Sequence, residues 1–261
     1  MRLNRIWALM IRYALLVKSV IGRQLLIIYF PAVDIILFGL MGMGFAHYTS
    51  ANILVLYLTS RVLWTTSMAI YHEMGGNFQV EIEAINLINL FSSPMTLHEW
   101  VLANIFNGII RGLFLFFYGL LLSWLIFGIN LIRVGVILLP LIPLLLFSWL
   151  PFGILISALY LRYGLNAFFV RWSLPTLLLF LSAVFFPREL LPTWLTPISK
   201  ILPTSHLFST LQQFILNNTV DYYSIMIGTL LILVYIILSA SYLGYCFKQS
   251  KKDGLSRLEN I

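Results

Sequence analysis

The sequence predicts an all-α integral membrane protein: a six-transmembrane-helix bundle with an N-terminal interfacial helix and an extracytoplasmic re-entrant helical hairpin between spans five and six. Composition is the first reason. Hydrophobic residues fill 61% of the 261 positions and charged residues only 10%, at a mean hydropathy of +0.95, whereas an ordinary soluble domain carries about 25% charged residues. So few ionised side chains cannot hold an exterior in water, and lipid serves as part of the solvent. Periodicity is the second reason: the long runs are apolar on every side, unlike barrel staves, which alternate in and out over about ten residues. The third is the placement of charge. Of the 16 Lys and Arg residues all but Arg61 and Arg111 sit beside the apolar runs, not in one patch interleaved with aromatics, so the net charge of +7 reads as membrane topology and not as nucleic-acid binding.

Residues 2–22 come first along a single domain, 1–261. Leu3, Ile6, Trp7, Met10, Ala14, Val17 and Ile21 share a helical stripe while Arg5 and Arg12 fall on another face, the pattern of a helix lying in the membrane interface. The rival reading, a secretory signal, is weakened by Arg12 inside the apolar run and by the lack of a small-residue cleavage site. A helix rises about 1.5 Å per residue, so a hydrocarbon core about 30 Å thick needs roughly 20 apolar residues. The stretches that qualify are Gln24–Ala46, Ala51–His72, Trp100–Gly128, Val134–Tyr160, Leu165–Phe186 and Ser224–Phe247.

Charge sets the expected orientation. Arg2, Arg5, Arg12, Lys18 and Arg23 precede the first span, Arg162 and Arg171 flank the fourth and fifth, and Lys248, Lys251, Lys252 and Arg257 follow the sixth. The other side holds only Arg133, Arg188 and Lys200. An even number of spans then places both termini in the cytoplasm of a cytoplasmic (inner) membrane, with 248–261 as a cytoplasmic tail. Cys246, the single cysteine, excludes a disulfide framework and reads as an apolar filler.

Two segments between spans carry unusual patterns. The cytoplasmic loop opens at Glu73, and over its coupling part, 75–99, Phe78, Ile82, Ile85 and Ile88 follow a helical stripe with Glu81, Glu83, Asn86 and Asn89 on other faces. Ser92-Ser93-Pro94 ends that run, and Thr96 with Glu99 stands at capping-box spacing for the next helix. A plain solvated connector needs only a few residues; an acidic, capped loop of this length without Lys or Arg suits a basic protein partner. In the second segment Pro187, Pro192, Pro197 and Pro203 recur, so no single spanning helix includes them all. Yet Phe185, Leu190, Leu191, Trp194 and Leu195 are too apolar for an exposed loop. Two short helices re-entering the outer leaflet over 187–207 satisfy both facts; a seventh, broken span is the alternative.

Ionisable residues inside spans form a third group. Asp34, Arg61 and Arg111 each lie about 15–16 Å into their helices at the rise of an α-helix. An unpaired charge there is costly, so Asp34 is expected to pair with Arg61, leaving Arg111 to a carbonyl, a water-filled cavity or a substrate. Pro31 beside Asp34 offers a kink. Aromatic residues such as Phe114, Phe117 and Trp124 suit a sugar-stacking path, but interfacial and packing roles are commoner.

No catalytic or metal-binding pattern emerges. There is no Gly-Lys pair, so the phosphate-cradling loop of ATP-binding proteins is missing. His72-Glu73 and His98-Glu99 begin zinc-protease-like pairs, but position 76 is Gly and position 102 is Leu, so the second ligand is absent. The chain is expected to be no enzyme, with no cofactor of its own.

The run Glu81-x-Glu83-x7-Phe91-Ser92-Ser93-Pro94-Met95-Thr96-x2-Glu99 is similar to the acidic cytoplasmic loop of the type-2 ABC-transporter permease family. Phe185-Phe186-Pro187-x3-Leu191-Pro192-x-Trp194-Leu195-x7-Leu202-Pro203-x2-His206 resembles that family's extracytoplasmic segment, with the nearest likeness to nodulation lipo-oligosaccharide and daunorubicin-type exporters. The resemblance implies a half-transporter. Two copies would pair, each docking a separate ATPase subunit that holds ATP and Mg. It further implies that Glu81, Glu83, Ala84, Leu87, Phe91, Ser93 and Pro94 form the ATPase-coupling element, and that Pro187, Leu191, Pro192, Trp194, Leu195, Pro203 and His206 form an outer gate. The substrate so implied is amphipathic or lipid-linked. Importer permeases are disfavoured, because after Glu83-Ala84 the chain gives Ile85 and no Gly before Gly108. Asp34, Arg61 and Arg111 match no family pattern. Two other classes stay open: a proton-coupled secondary transporter using Asp34, against which stands the lack of internal repeats, and a non-transporting membrane scaffold.

Overall fold

A computed structural model of the protein describes residues 3–19, 21–48 and 50–253. The expectations for Arg2, Arg257 and the tail past residue 253 lie outside them. Among the described residues every regular element is helical. Helix α1 covers Leu3–Ser19 and α2 covers Ile21–Tyr48. Next come α3 (Ala51–Ser67) and α4 (Ala69–Glu83), which follow one another across a single turn residue, Met68. The six-residue α5 (Leu87–Ser92) precedes the long α6 (Leu97–Phe127). A 3-10 segment Leu131–Ile137 leads into α7 (Leu138–Ser148), α8 (Leu150–Tyr163) and α9 (Phe168–Leu181). Last are the short α10 (Thr196–Ile201), α11 (Pro203–Asn217) and α12 (Tyr222–Asp253).

Among the described residues five helical stretches are long and apolar enough to cross a membrane: Ile27–Tyr48, Ala51–Glu83, Leu97–Phe127, Leu131–Leu181 and Tyr222–Lys252. The chain is therefore a multi-pass membrane protein by length and composition. The fourth stretch, 51 residues long, holds the segment expected as span four and the one expected as span five up to Leu181, where α9 ends. Gly164 interrupts it with φ 59° and ψ −141°, a conformation open essentially to glycine alone.

The second stretch corrects the sequence reading, which ended its helix at His72. Here α4 continues to Glu83, so Glu73 is helical and buried rather than the first residue of a loop. The pair Gly75-Gly76 does not break the helix because both positions are closely covered. A Cβ on Gly75 would stand 3.2 Å from Arg171 and from Ile156, and one on Gly76 would stand 3.0 Å from Arg171.

Packing of the central helices relies on close backbone approach. In lipid, exclusion of water no longer drives helices together, so association depends on van der Waals contact and interhelical hydrogen bonds. On α6, Gly108 faces the Ile70 backbone, Gly112 faces Leu146, and Gly119 faces Val62; a Cβ at each would approach to 2.6, 2.7 and 2.8 Å. Trp64, Trp149 and Tyr71 fill the centre, with Trp64 and Tyr71 edge-on to Trp149 at ring-centroid distances of 5.1 and 5.3 Å. Outward-facing residues are large and apolar, among them Phe45 on α2, Phe117 on α6 and Ile237 on α12, which is how a lipid-facing surface reads.

Candidate functional site

The chemistry-bearing residues gather in three places: a furrow inside the bundle, an elbow at one end, and a proline-rich cap at the other.

The furrow encloses about 450 Å³. Helix α2 contributes Phe30, Pro31 and Asp34, α3 contributes Arg61, α4 contributes a line from His72 to Glu83, α6 contributes Arg111, and α9 contributes Arg171 and Trp172. Arg61 and Asp34 form the expected ion pair between α2 and α3, and the Arg61 guanidinium also stands 5.1 Å from the Phe38 ring centroid. Arg111 meets Glu73 at 2.8 Å; this partner was not foreseen, because Glu73 had been placed in a loop. Glu73 in turn accepts from Asn77 Nδ2 at 3.2 Å, and Asn77 donates to Asn104 Oδ1 at 2.6 Å. The result is a polar ladder between α4 and α6, costly to bury unless joined. Pro31 lies inside an uninterrupted α2 and is buried against the furrow.

Arg171 is the residue that sequence reading missed, having counted it only for orientation. Its guanidinium lies across the Gly75-Gly76 pair and donates to Gln79 Oε1, while its backbone carbonyl accepts from Tyr71 Oη at 2.7 Å. Only the helical register of α4, with Tyr71, Gly75 and Gln79 at successive four-residue steps on one face, could have pointed to it.

At the elbow, α4 ends where Asn86 N donates to the Glu81 carbonyl at 2.9 Å and Ile85 N to the Ile82 carbonyl at 3.0 Å. Ile85 stands at φ 52°, a left-handed conformation that a β-branched residue rarely adopts. This αL stop replaces the single amphipathic helix expected through Ile88, and the buried stripe becomes Leu87, Leu90 and Phe91. Ile85 and Ile88 point outward, 64% and 39% exposed. Of the expected coupling residues, Glu83, Ala84, Ser93 and Pro94 are exposed, whereas Glu81, Leu87 and Phe91 are buried. Phe91 packs edge-on against Phe247 of α12 at 4.8 Å. Thr96 and Glu99 form the expected capping box at the start of α6.

Glu81 is fully buried and holds α1 in place. Arg12 Nη2 reaches it at 2.8 Å and Asn86 Nδ2 donates to it at 2.6 Å. Tyr13, beside it, accepts from Trp100 Nε1 at 2.8 Å; burial first, and the Glu81 charge next, push its phenol well above the usual value, so it stays protonated. Arg5 adds contacts to the Pro94 carbonyl and to Glu99. The face of α1 turned into the bundle carries Ile6, Leu9 and Tyr13, whereas Leu3 and Trp7 of the expected apolar stripe are exposed together with Ile11 and Leu15. That outward apolar face suits the lipid boundary.

At the opposite end, Gln212 of α11 donates to the carbonyls of Ala183, Val184 and Phe186 at 2.6, 3.3 and 3.1 Å, satisfying the frayed end of α9. Ser182 and Thr204 hydroxyls meet at 2.5 Å, and His206 Nε2 donates to the Lys200 carbonyl at 2.8 Å. Burial holds the His206 ring below its usual basicity, which fits a neutral imidazole with its proton on Nε2. Of the expected gate residues, Leu191, Pro203 and His206 are buried, Leu195 is half-buried, and Pro187, Pro192 and Trp194 are exposed, Trp194 at 71%. The helix that Pro203 opens runs ten residues past the expected limit at Leu207.

Among the described residues no cluster of three or more metal-ligating side chains occurs. No protein-family model matches the chain, and no curated protein matches its sequence.

Proposed function

We propose that the chain is the transmembrane subunit of an ATP-driven exporter, acting as one of two copies that each dock a separate ATPase subunit carrying ATP and Mg. The observation that carries this reading is the elbow. Ile85 and Ile88 are apolar and exposed, Ile85 in the turn after α4 and Ile88 in the first turn of α5, and Ile85 holds a costly backbone conformation there. Strain of this kind persists where the surroundings over-determine it, commonly at functional contacts. The elbow is also rigidly tied to the rest of the bundle, through Arg12–Glu81 to α1 and through Phe91–Phe247 to α12. A push on Ile88 is therefore delivered to α4, which lines the furrow, and to α1 and α12. A partner that binds one bundle arrangement better than the other can shift the population by that difference.

The six-pass arrangement belongs to the same proposal. At about 1.5 Å per residue the stretch Leu131–Leu181 spans about 77 Å, more than twice a hydrocarbon core of about 30 Å. Folding at Gly164 into two passes resolves the mismatch. Both arms meet α4: Tyr160 Oη donates to Gln79 Oε1 at 3.3 Å from α8, and Tyr71 meets Arg171 of α9. With six passes, α1, α5 and the end of α12 share the cytoplasmic side of an inner membrane, both termini included, and 187–207 re-enters from outside as a gate. The substrate enters the furrow as an amphipathic or lipid-linked molecule.

The test is affinity purification from native membranes. The chain should bring down a subunit containing the nucleotide-binding loop, and Ile88→Asp should remove that subunit while leaving the chain's membrane level unchanged. Equal recovery with Ile88→Asp contradicts the docking assignment.

A further inference from the structure

The geometry points to the furrow as a binding site for the anionic headgroup of an amphipath, with Arg171 as its principal contact and the apolar tail lying over Phe30 and Trp172. The charges of the furrow are not evenly spent. Asp34 is engaged by Arg61 and Glu73 by Arg111. Glu83 is exposed and accepts from Gln79 Nε2 at 2.6 Å, and water screens an exposed charge. Among the described residues no carboxylate stands within ion-pairing distance of Arg171. Among the described residues its side-chain hydrogen-bond partners are Gln79 and Tyr160, neither of them a carboxylate. The Nε–H groups of Arg61, Arg111 and Arg171 are all buried without an acceptor, although all three residues line this one cavity. Donors thus exceed acceptors where a guanidinium is held in advance against two glycines. A guanidinium is built to meet a phosphate or carboxylate through paired hydrogen bonds.

The remainder of the furrow suits a lipid-like body. Val80 and Leu115 line it between the polar groups, while Phe30 and Trp172, 56% and 55% exposed, flank it on α2 and α9. The headgroup site deepens the transport reading by naming the class of molecule that enters the furrow, and it rests on that reading for the direction of movement only. Binding itself needs no ATPase.

The experiment is native mass spectrometry of the purified chain in mixed micelles with equimolar phosphatidylglycerol and phosphatidylcholine. The wild-type chain should retain phosphatidylglycerol over phosphatidylcholine by about tenfold or more, the order that one charge-assisted contact supplies. Arg171→Gln should lose that preference at an unchanged unfolding midpoint, Arg171→Lys should keep most of it, and Lys200→Gln, at the far end, should leave it intact. Equal retention of the two lipids by the wild-type chain overturns the proposal, even if Arg171→Gln does not fold. So does a preference that survives in a folded Arg171→Gln. Release of the lipid by inorganic phosphate at equal concentration overturns the amphipathic assignment in favour of a soluble oxyanion. Because no ATPase is present, failure here leaves the docking test standing, and the reverse holds as well.

Discussion

At single side chains, the molecule's departures from local rules coincide with its functional candidates. Ile85 is the clearest. An L-residue in the left-handed region costs roughly 1–2 kcal/mol, and glycine avoids that cost. Because Ile85 is largely exposed, its side chain recovers little of this by burial. Ile85→Gly should therefore stabilise the purified chain by about 1 kcal/mol in thermal unfolding while weakening recovery of the ATPase subunit. A loss of stability would show that the isoleucine serves the fold alone. Glu81 behaves in the opposite way: an acidic side chain expected, with Glu83, to meet a partner is sealed under α1 by Arg12. Reversing its charge sets a buried cation against Arg12, so exposed neighbours such as Ile88 isolate docking from folding. Asp34–Arg61 is legible from the sequence because helical rise alone sets two charges at equal depth. Arg171 is not, since its partners on α4 lie 92 to 100 residues away along the chain.

Among the helices, legibility follows how local the determinant is. The capping box at Thr96 and Glu99 needs only a three-residue spacing, and it forms as expected. The end of α4 does not, because Gly75-Gly76 looks like a stop until Arg171 and Ile156 are laid against it. Eleven further residues of helix beyond His72 follow from that tertiary cover, and with them the Arg111–Glu73 pair. Helix α6 depends on similar cover. Gly108→Leu drives a side chain into the Ile70 backbone, and overpacking of this kind costs typically about 1–3 kcal/mol. The same change at Gly44, which has open space around it, should be neutral. Thermal unfolding in one detergent compares the two; equal midpoints would contradict the α4–α6 packing described above.

For the whole molecule, hydropathy discloses the solvent but not the number of crossings. The stretch Leu131–Leu181 runs for 51 residues; the sequence divides it into two spans around Arg162, and the backbone leaves the helical conformation there, at Gly164. Whether that run crosses once or twice decides on which side α12 ends, and so whether the elbow and the basic end of α12 share the compartment that holds ATP. Labelling with a membrane-impermeant thiol reagent in sealed cells answers this, in a Cys246→Ser background with single cysteines at Ile88, Thr193 or Lys251. Two crossings predict that Thr193→Cys reacts in intact cells, whereas Ile88→Cys and Lys251→Cys react only after permeabilisation. Reaction of Lys251→Cys from outside, with Thr193→Cys protected, would contradict the six-pass arrangement and the exporter built on it.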